Sequence, residues 1–232
     1  MIKIAGRARA GLLAGVLLPG LGSGDARVPV SVADPPWSAL ARVQVPGVSR
    51  CTGFFVAAGT VVTAAHCLWD GHVRRTVRPE QIHVLTGYEH GGYRAHAVAR
   101  SYRVGAGFVG GTATGLGGDV AVLTLDAAIG TAALPWANAA RPGEAAMLGG
   151  YEQDRIETLL ADTGCRTMGR IADAGGRPIL QHACAATGGT SGGPLLVRSG
   201  AGWAVAGVNV TANVGDVGGL AVPAATARAL LP

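Results

Sequence analysis

Glycine restricts the fold more than any other feature: 38 of the 232 residues, spread without a G-X-Y period between short apolar runs. Glycine weakens a helix interior and suits a tight turn, so this spacing describes many turns joining short strands, not a bundle or a collagen rod. The runs are Ala39–Val45, Gly53–Ala57, Val61–Ala64, His83–Thr86, Ala95–Tyr102, Val120–Leu125, Ala145–Gly149, Pro194–Val197 and Trp203–Val210. All are short, rich in Val, Leu and aromatics, and bounded by Gly, Pro, Asn or Asp. Helical pattern is confined to a single turn starting near Cys67–Trp69 and a terminal helix over Ala224–Leu231 after Pro223. The repeated helical segments of a parallel α/β fold are missing. The chain reads as all-β.

Composition narrows the classes further. With 49% hydrophobic and 14% charged residues there is enough apolar surface to offset the entropy of ordering, which excludes disorder. Residues 1–26 have the pattern of an export signal: Lys3, Arg7 and Arg9, an apolar run from Gly11 to Leu18, then small residues in Gly24-Asp25-Ala26. The run is shorter than the roughly 20 residues of a spanning helix, so the expected mature protein is secreted or periplasmic and not inserted in a membrane. Losing residues 1–26 removes three basic residues and Asp25, lowering the formal charge from +5 to +3 and taking away Lys3, the only lysine. The arginines are scattered, which argues against a nucleic-acid partner. A monomer is expected.

The alternation fades between Gly130 and Gly143, where Thr131-Ala132-Ala133-Leu134-Pro135-Trp136 continues into Ala- and Pro-rich sequence. Residues 131–144 therefore read as a connector between an N-terminal unit over 37–130 and a C-terminal unit over 145–232. Cys51, Cys67, Cys165 and Cys184 form an even set in an exported chain, the signature of two disulfides. Of the three pairings the sequential one, 51–67 with 165–184, is favoured. Zinc is disfavoured because there is no CxxC pair and the histidines lack ligand spacing.

Three local motifs carry chemistry. In Val61-Val62-Thr63-Ala64-Ala65-His66-Cys67 a buried strand ends in small residues that let His66 pack closely while its ring faces a cleft. In Gly117-Gly118-Asp119-Val120 an aspartate sits at the mouth of an apolar strand, where a histidine could reach it. In Thr187-Gly188-Gly189-Thr190-Ser191-Gly192-Gly193-Pro194 a serine lies on backbone able to bend sharply, so that the N–H groups of Gly189 and Ser191 could converge as an oxyanion hole. A phosphate-binding loop is excluded, since the Lys-Ser/Thr ending is missing. An esterase elbow is disfavoured because Gly-Gly-Pro-Leu-Leu leads into a strand, not a helix.

In that order, TAAHC, GGDVAVL and GGTSGGP resemble the His, Asp and Ser motifs of the trypsin/chymotrypsin-like serine peptidases, closest to their bacterial glutamyl-endopeptidase-like branch. The resemblance implies two packed six-stranded antiparallel β-barrels with the active site in the cleft between them. It implies a catalytic triad of His66, Asp119 and Ser191 and peptide or protein substrates; some relatives use calcium, but no acidic cluster here supplies its oxygen ligands, so no metal and no cofactor are expected. It also implies a disulfide bracketing the His66 strand. The primary substrate pocket would be formed by Ala185, Ala186 and Thr187 with Val208, Asn209 and Val210 opposite, and would be neutral. Thr190 stands where many relatives carry an aspartate that pairs with a new N-terminus, so activation by N-terminal insertion is not expected. A catalytically inactive homologue that binds peptides is the competing reading. The glycine-rich loop Gly105–Gly118 is expected to be mobile and able to gate the cleft beside Asp119.

Overall fold

The computed structural model describes residues 25–112, 114–200, 202–212 and 218–232. The expected signal peptide therefore lies outside the described residues except for Asp25 and Ala26. The strands are β1 (Arg27–Pro29), β2 (Leu40–Val45), β3 (Ser49–Ala57), β4 (Thr60–Thr63), β5 (Trp69–Asp70), β6 (Arg75–Thr76), β7 (His83–Thr86) and β8 (Ala95–Val104). They continue with β9 (Ala121–Leu125), β10 (Ala145–Tyr151), β11 (Leu159–Ala172), β12 (Pro178–His182), β13 (Pro194–Ser199), β14 (Gly202–Ala212) and β15 (Gly219–Pro223). One helix, α1 (Ala224–Arg228), follows Pro223 and is shorter than the run Ala224–Leu231 suggests.

Six strands close into a first antiparallel barrel in the order β2-β3-β4-β9-β8-β7. A second ring runs β11-β10-β13-β14-β15-β12 and closes through β12 on β11. The two-barrel expectation is met. Closure matters because it leaves no long unpaired edge. The short strand β1 adds to the outside of β11, with Arg27 opposite Asp162, so the N-terminal segment is strapped to the second barrel.

Short, nearly continuous buried runs explain the first barrel. In β2 every residue but Gln44 is buried, in β4 Val61 and Val62 are buried, and Phe54 and Phe55 of β3 are fully enclosed. One cluster of buried side chains continues from these into Leu159, Leu196, Val205 and Val222 of the second barrel, so apolar contact holds the halves together. The connector is tied to both. Leu134 N–H donates to the Phe55 carbonyl at 2.9 Å, Val205 N–H to the Pro135 carbonyl at 2.8 Å, and Trp136 meets Phe54 edge-on with ring centroids 6.1 Å apart.

Candidate active site

The chain leaves β4 through small buried residues, Ala64 and Ala65, into a 3-10 turn, Ala65–Leu68, that carries His66. A disulfide between Cys67 and Cys51 of β3, with Cα atoms 6.2 Å apart, pins that turn. The second disulfide joins Cys165 and Cys184, so the sequential pairing is the one present. With Cys51 and Cys67 bonded to each other, the cluster of Cys51, His66 and Cys67 offers no thiolate to a metal.

Asp119 follows a turn at Leu116–Gly118 and is 4% exposed. Its carboxylate grips His66 twice: Oδ1 accepts from the backbone N–H at 2.8 Å, and Oδ2 lies 2.7 Å from Nδ1. Two contacts to one residue fix both the position and the rotation of the ring. An acceptor at Nδ1 also selects the tautomer in which Nε2 is free to take a proton.

Ser191 lies in a turn between the barrels. From the first barrel, Thr52 N–H donates to the Ser191 carbonyl at 2.9 Å and the Thr52 hydroxyl to the Gly189 carbonyl at 2.8 Å. From the second, Gly192 N–H donates to the Asn209 carbonyl at 2.7 Å and Asn209 N–H to the Gly193 carbonyl at 2.8 Å. Ser191 is thereby brought beside the His66 turn, its carbonyl oxygen 4.0 Å from the Cys67 sulfur. Among the described residues the Ser191 hydroxyl makes no hydrogen bond to the protein; such contacts in free enzymes commonly tighten only around substrate.

Gly189 (φ +97°) and Gly192 (φ +82°) give the turn its shape. A Cβ on Gly192 would stand 2.1 Å from the Thr52 carbonyl oxygen, so only glycine lets the two barrels approach this closely. The N–H groups of Gly189 and Ser191 donate to no acceptor among the described residues, although those of Thr190 and Gly192 are used. Two unclaimed donors beside a serine hydroxyl could receive an oxyanion.

Thr190, fully buried, closes the turn by donating its hydroxyl to the Thr187 carbonyl at 2.9 Å. Thr187 in turn is held by a network that the sequence did not reveal. Its N–H and hydroxyl donate to Glu152 at 2.7 and 2.6 Å, and Arg27 of β1 bonds Glu152, Asp154 and the Thr187 hydroxyl. Burial raises the Glu152 carboxyl above its usual range, opposed by the Thr187 and Arg27 hydrogen bonds. Asp154, more exposed, is lowered by its hydrogen bond to Arg27.

The residues expected to form the primary pocket are distributed unevenly. Ala185, Ala186 and Thr187 are half-buried, whereas Val208 and Asn209 are 0% and 1% exposed. The Asn209 amide lies 3.0 Å from Nε2 of buried His182, whose Nδ1 accepts from Cys184 N–H at 3.2 Å. Burial lowers the His182 pKa. Val210 lines a cavity of about 340 Å³ together with His66, Asp119 and Phe108 and Leu116 of the Gly105–Gly118 loop.

The sequence profile described as "Trypsin-like peptidase domain" matches residues 51–208, from the first disulfide to β14. The chain belongs to the trypsin-like peptidase family. No match is found among curated proteins. Among solved structures the family likeness is broad. A Glu endopeptidase in complex with MPD shares 19% identity with TM-score 0.72, over 89% of this chain and 95% of that one. A thermostable serine protease, AL20, from an extremophilic microorganism shares 22% identity with TM-score 0.63, over 83% and 96%. A protease, Anisep, from Arthrobacter nicotinovorans shares 17% identity with TM-score 0.61, over 84% and 90%. Identities this low speak for the common fold. No helix among the described residues of this trypsin-like chain is long and apolar enough to cross a membrane.

Proposed function

We propose that this chain is an exported serine endopeptidase that cleaves peptides or proteins through an acyl-enzyme. Ser191 Oγ attacks the substrate carbonyl carbon while Nε2 of His66 removes its proton. Asp119 keeps the ring in the productive tautomer and stabilises the imidazolium. The Gly189 and Ser191 N–H groups receive the negative oxygen. His66 then returns the proton to the leaving amine, and water, deprotonated by the same ring, releases the acyl group. These roles are those of the family's established triad chemistry, carried to the matching residues.

The observation that carries this reading is the double grip of Asp119 on His66, by which a buried carboxylate both orients and polarises one ring. A structural histidine needs only one such partner. Ala185, Ala186 and Val210 offer apolar surface, and Asn209 is committed to His182, which favours a small or medium uncharged side chain on the acyl side. The paired cysteines support export to an oxidising compartment.

A fluorophosphonate probe tests the assignment. The wild-type protein is expected to label, and Ser191→Ala to be unlabelled and about a million-fold slower on a peptide substrate. A folded wild-type protein that resists labelling would leave the peptide-binding homologue as the better description.

A further inference from the structure

A cavity of about 790 Å³ opens between the β2–β3 hairpin and the turn after β10, and Arg42, Arg50, Gln153 and Ile156 are among its walls. Arg42 is only 6% exposed. Its guanidinium lies 4.1 Å from the centre of the Tyr88 ring and donates to the Ile156 carbonyl at 3.1 Å. Among the described residues no carboxylate comes within ion-pair distance of Arg42 or Arg50. Glu157 is engaged by the Tyr88 hydroxyl at 2.8 Å and Glu152 by Arg27 and Thr187. The Tyr151 hydroxyl is also buried without a partner, and an adjoining small pocket is lined by Tyr151, Arg42 and Arg50. A buried guanidinium without a counter-charge is costly unless something negative joins it.

The cavity's position says what that something is. Arg50 lies two residues before Thr52, whose N–H holds the Ser191 carbonyl, and Gln153 N–H donates to the Gly188 carbonyl at 2.7 Å. The cavity is thus on the first-barrel side of the nucleophile turn. The expected acyl-side pocket lies on the other side, along β14, where Asn209 contacts Gly192 and Gly193. At about 3.3 Å per residue, Arg50 is some 7 Å along the strand from Thr52, the residue hydrogen-bonded to the Ser191 carbonyl, which places it in reach of the second or third residue beyond a scissile bond.

We propose that Arg42 and Arg50 form a leaving-side subsite for a carboxylate, so that substrates with an acidic group two or three residues after the cut are favoured. The carboxylate is either an acidic side chain or the free C-terminus of the leaving peptide. Arg42 contributes the buried charge and Arg50 the exposed arm that closes a planar, bidentate contact. This inference rests on the endopeptidase reading for its orientation, but its test does not depend on turnover.

The experiment measures binding by fluorescence anisotropy to the Ser191→Ala variant, at low and high salt. Peptides carry Glu, or Gln, at the second and third leaving-side positions, each as free acid and as C-terminal amide. The acidic peptide is expected to bind about tenfold more tightly than its Gln counterpart. That preference should shrink at high salt and vanish when Arg50→Gln is added. Loss of the preference on amidation alone assigns the carboxylate to the C-terminus. Equal affinity for Glu and Gln peptides, free acid and amide alike, overturns the proposal. Fluorophosphonate labelling of the wild type is read in parallel. A labelled enzyme without acidic preference refutes the subsite alone, and an unlabelled protein with that preference refutes only the peptidase reading.

Discussion

Replacing Thr52 with valine isolates the contact between the first barrel and the nucleophile turn. Thr52 is fully buried, and its hydroxyl works in both directions: it donates to the Gly189 carbonyl at 2.8 Å and accepts from Tyr151 N–H at 2.8 Å. Valine keeps the volume and removes both bonds, stranding a buried carbonyl and a buried N–H. Each stranded group costs about 1–3 kcal/mol, so the variant should lose roughly 2–6 kcal/mol of stability. With its carbonyl unheld, the Gly189 backbone is also freer to shift about φ and ψ, which misaims its N–H, one of the two donors proposed for the oxyanion. Complete loss of such a donor costs about 100- to 1,000-fold in rate, so partial misorientation should lower kcat by about 10- to 100-fold. Urea unfolding followed by tryptophan fluorescence gives the first quantity. Turnover of a peptide substrate, normalised to fluorophosphonate-titrated sites, gives the second. Thr52→Ser should restore most of both. A Thr52→Val protein within about 0.5 kcal/mol of wild type, with undiminished kcat, would refute the idea that this hydroxyl holds the turn.

Further outcomes follow from other contacts. Asp119→Asn keeps the shape of the carboxylate but supports the wrong tautomer of His66; kcat should fall about 10⁴-fold, by analogy with the family's triad, while circular dichroism stays unchanged. Replacing Cys165 and Cys184 by serine opens a loop with a sequence separation of 19, and urea unfolding should report a loss of about 3 kcal/mol. His182 is held neutral by burial, its folded pKa below the ordinary 6.5. As pH falls through about 6.5 the unfolded chain gains a proton that the folded one refuses, so stability should decline from neutrality downward. Tm measured from pH 7.5 to 5 should show that slope, and His182→Gln should flatten it.

The first barrel was largely legible because its strands are short apolar runs bounded by turn residues, as in Val61-Val62 or His83–Thr86. Even there β3 starts at Ser49, four residues before the apolar run begins, since Arg50 and Thr52 look like loop residues but pair with Gln44 and Arg42. In the second barrel β11 went unread. It is 14 residues long, with Gly164 and Gly169 within it and its register broken between Thr167 and Gly169. Polar residues such as Asp162 and Thr167 are nonetheless buried, because Asp162 accepts from Ala185 N–H at 2.9 Å. β12 and β15 escaped notice for want of alternation. Within the site, His66, Asp119, Ser191 and the cysteines announce themselves by local motif. The grip of Thr52 and the Arg27–Glu152 network do not, for they join residues more than a hundred positions apart and neither partner sits in a distinctive neighbourhood.

The nucleophile turn is fastened at the same time to Thr52 in one barrel and Asn209 in the other. It therefore behaves as a gauge of how the lobes are seated. Any stress that eases them apart, whether mild denaturant or a cavity cut into the shared apolar seam, should silence hydrolysis while each lobe still keeps its own sheet. Loss of activity would then be the early warning of dissociation between halves, well before the chain melts.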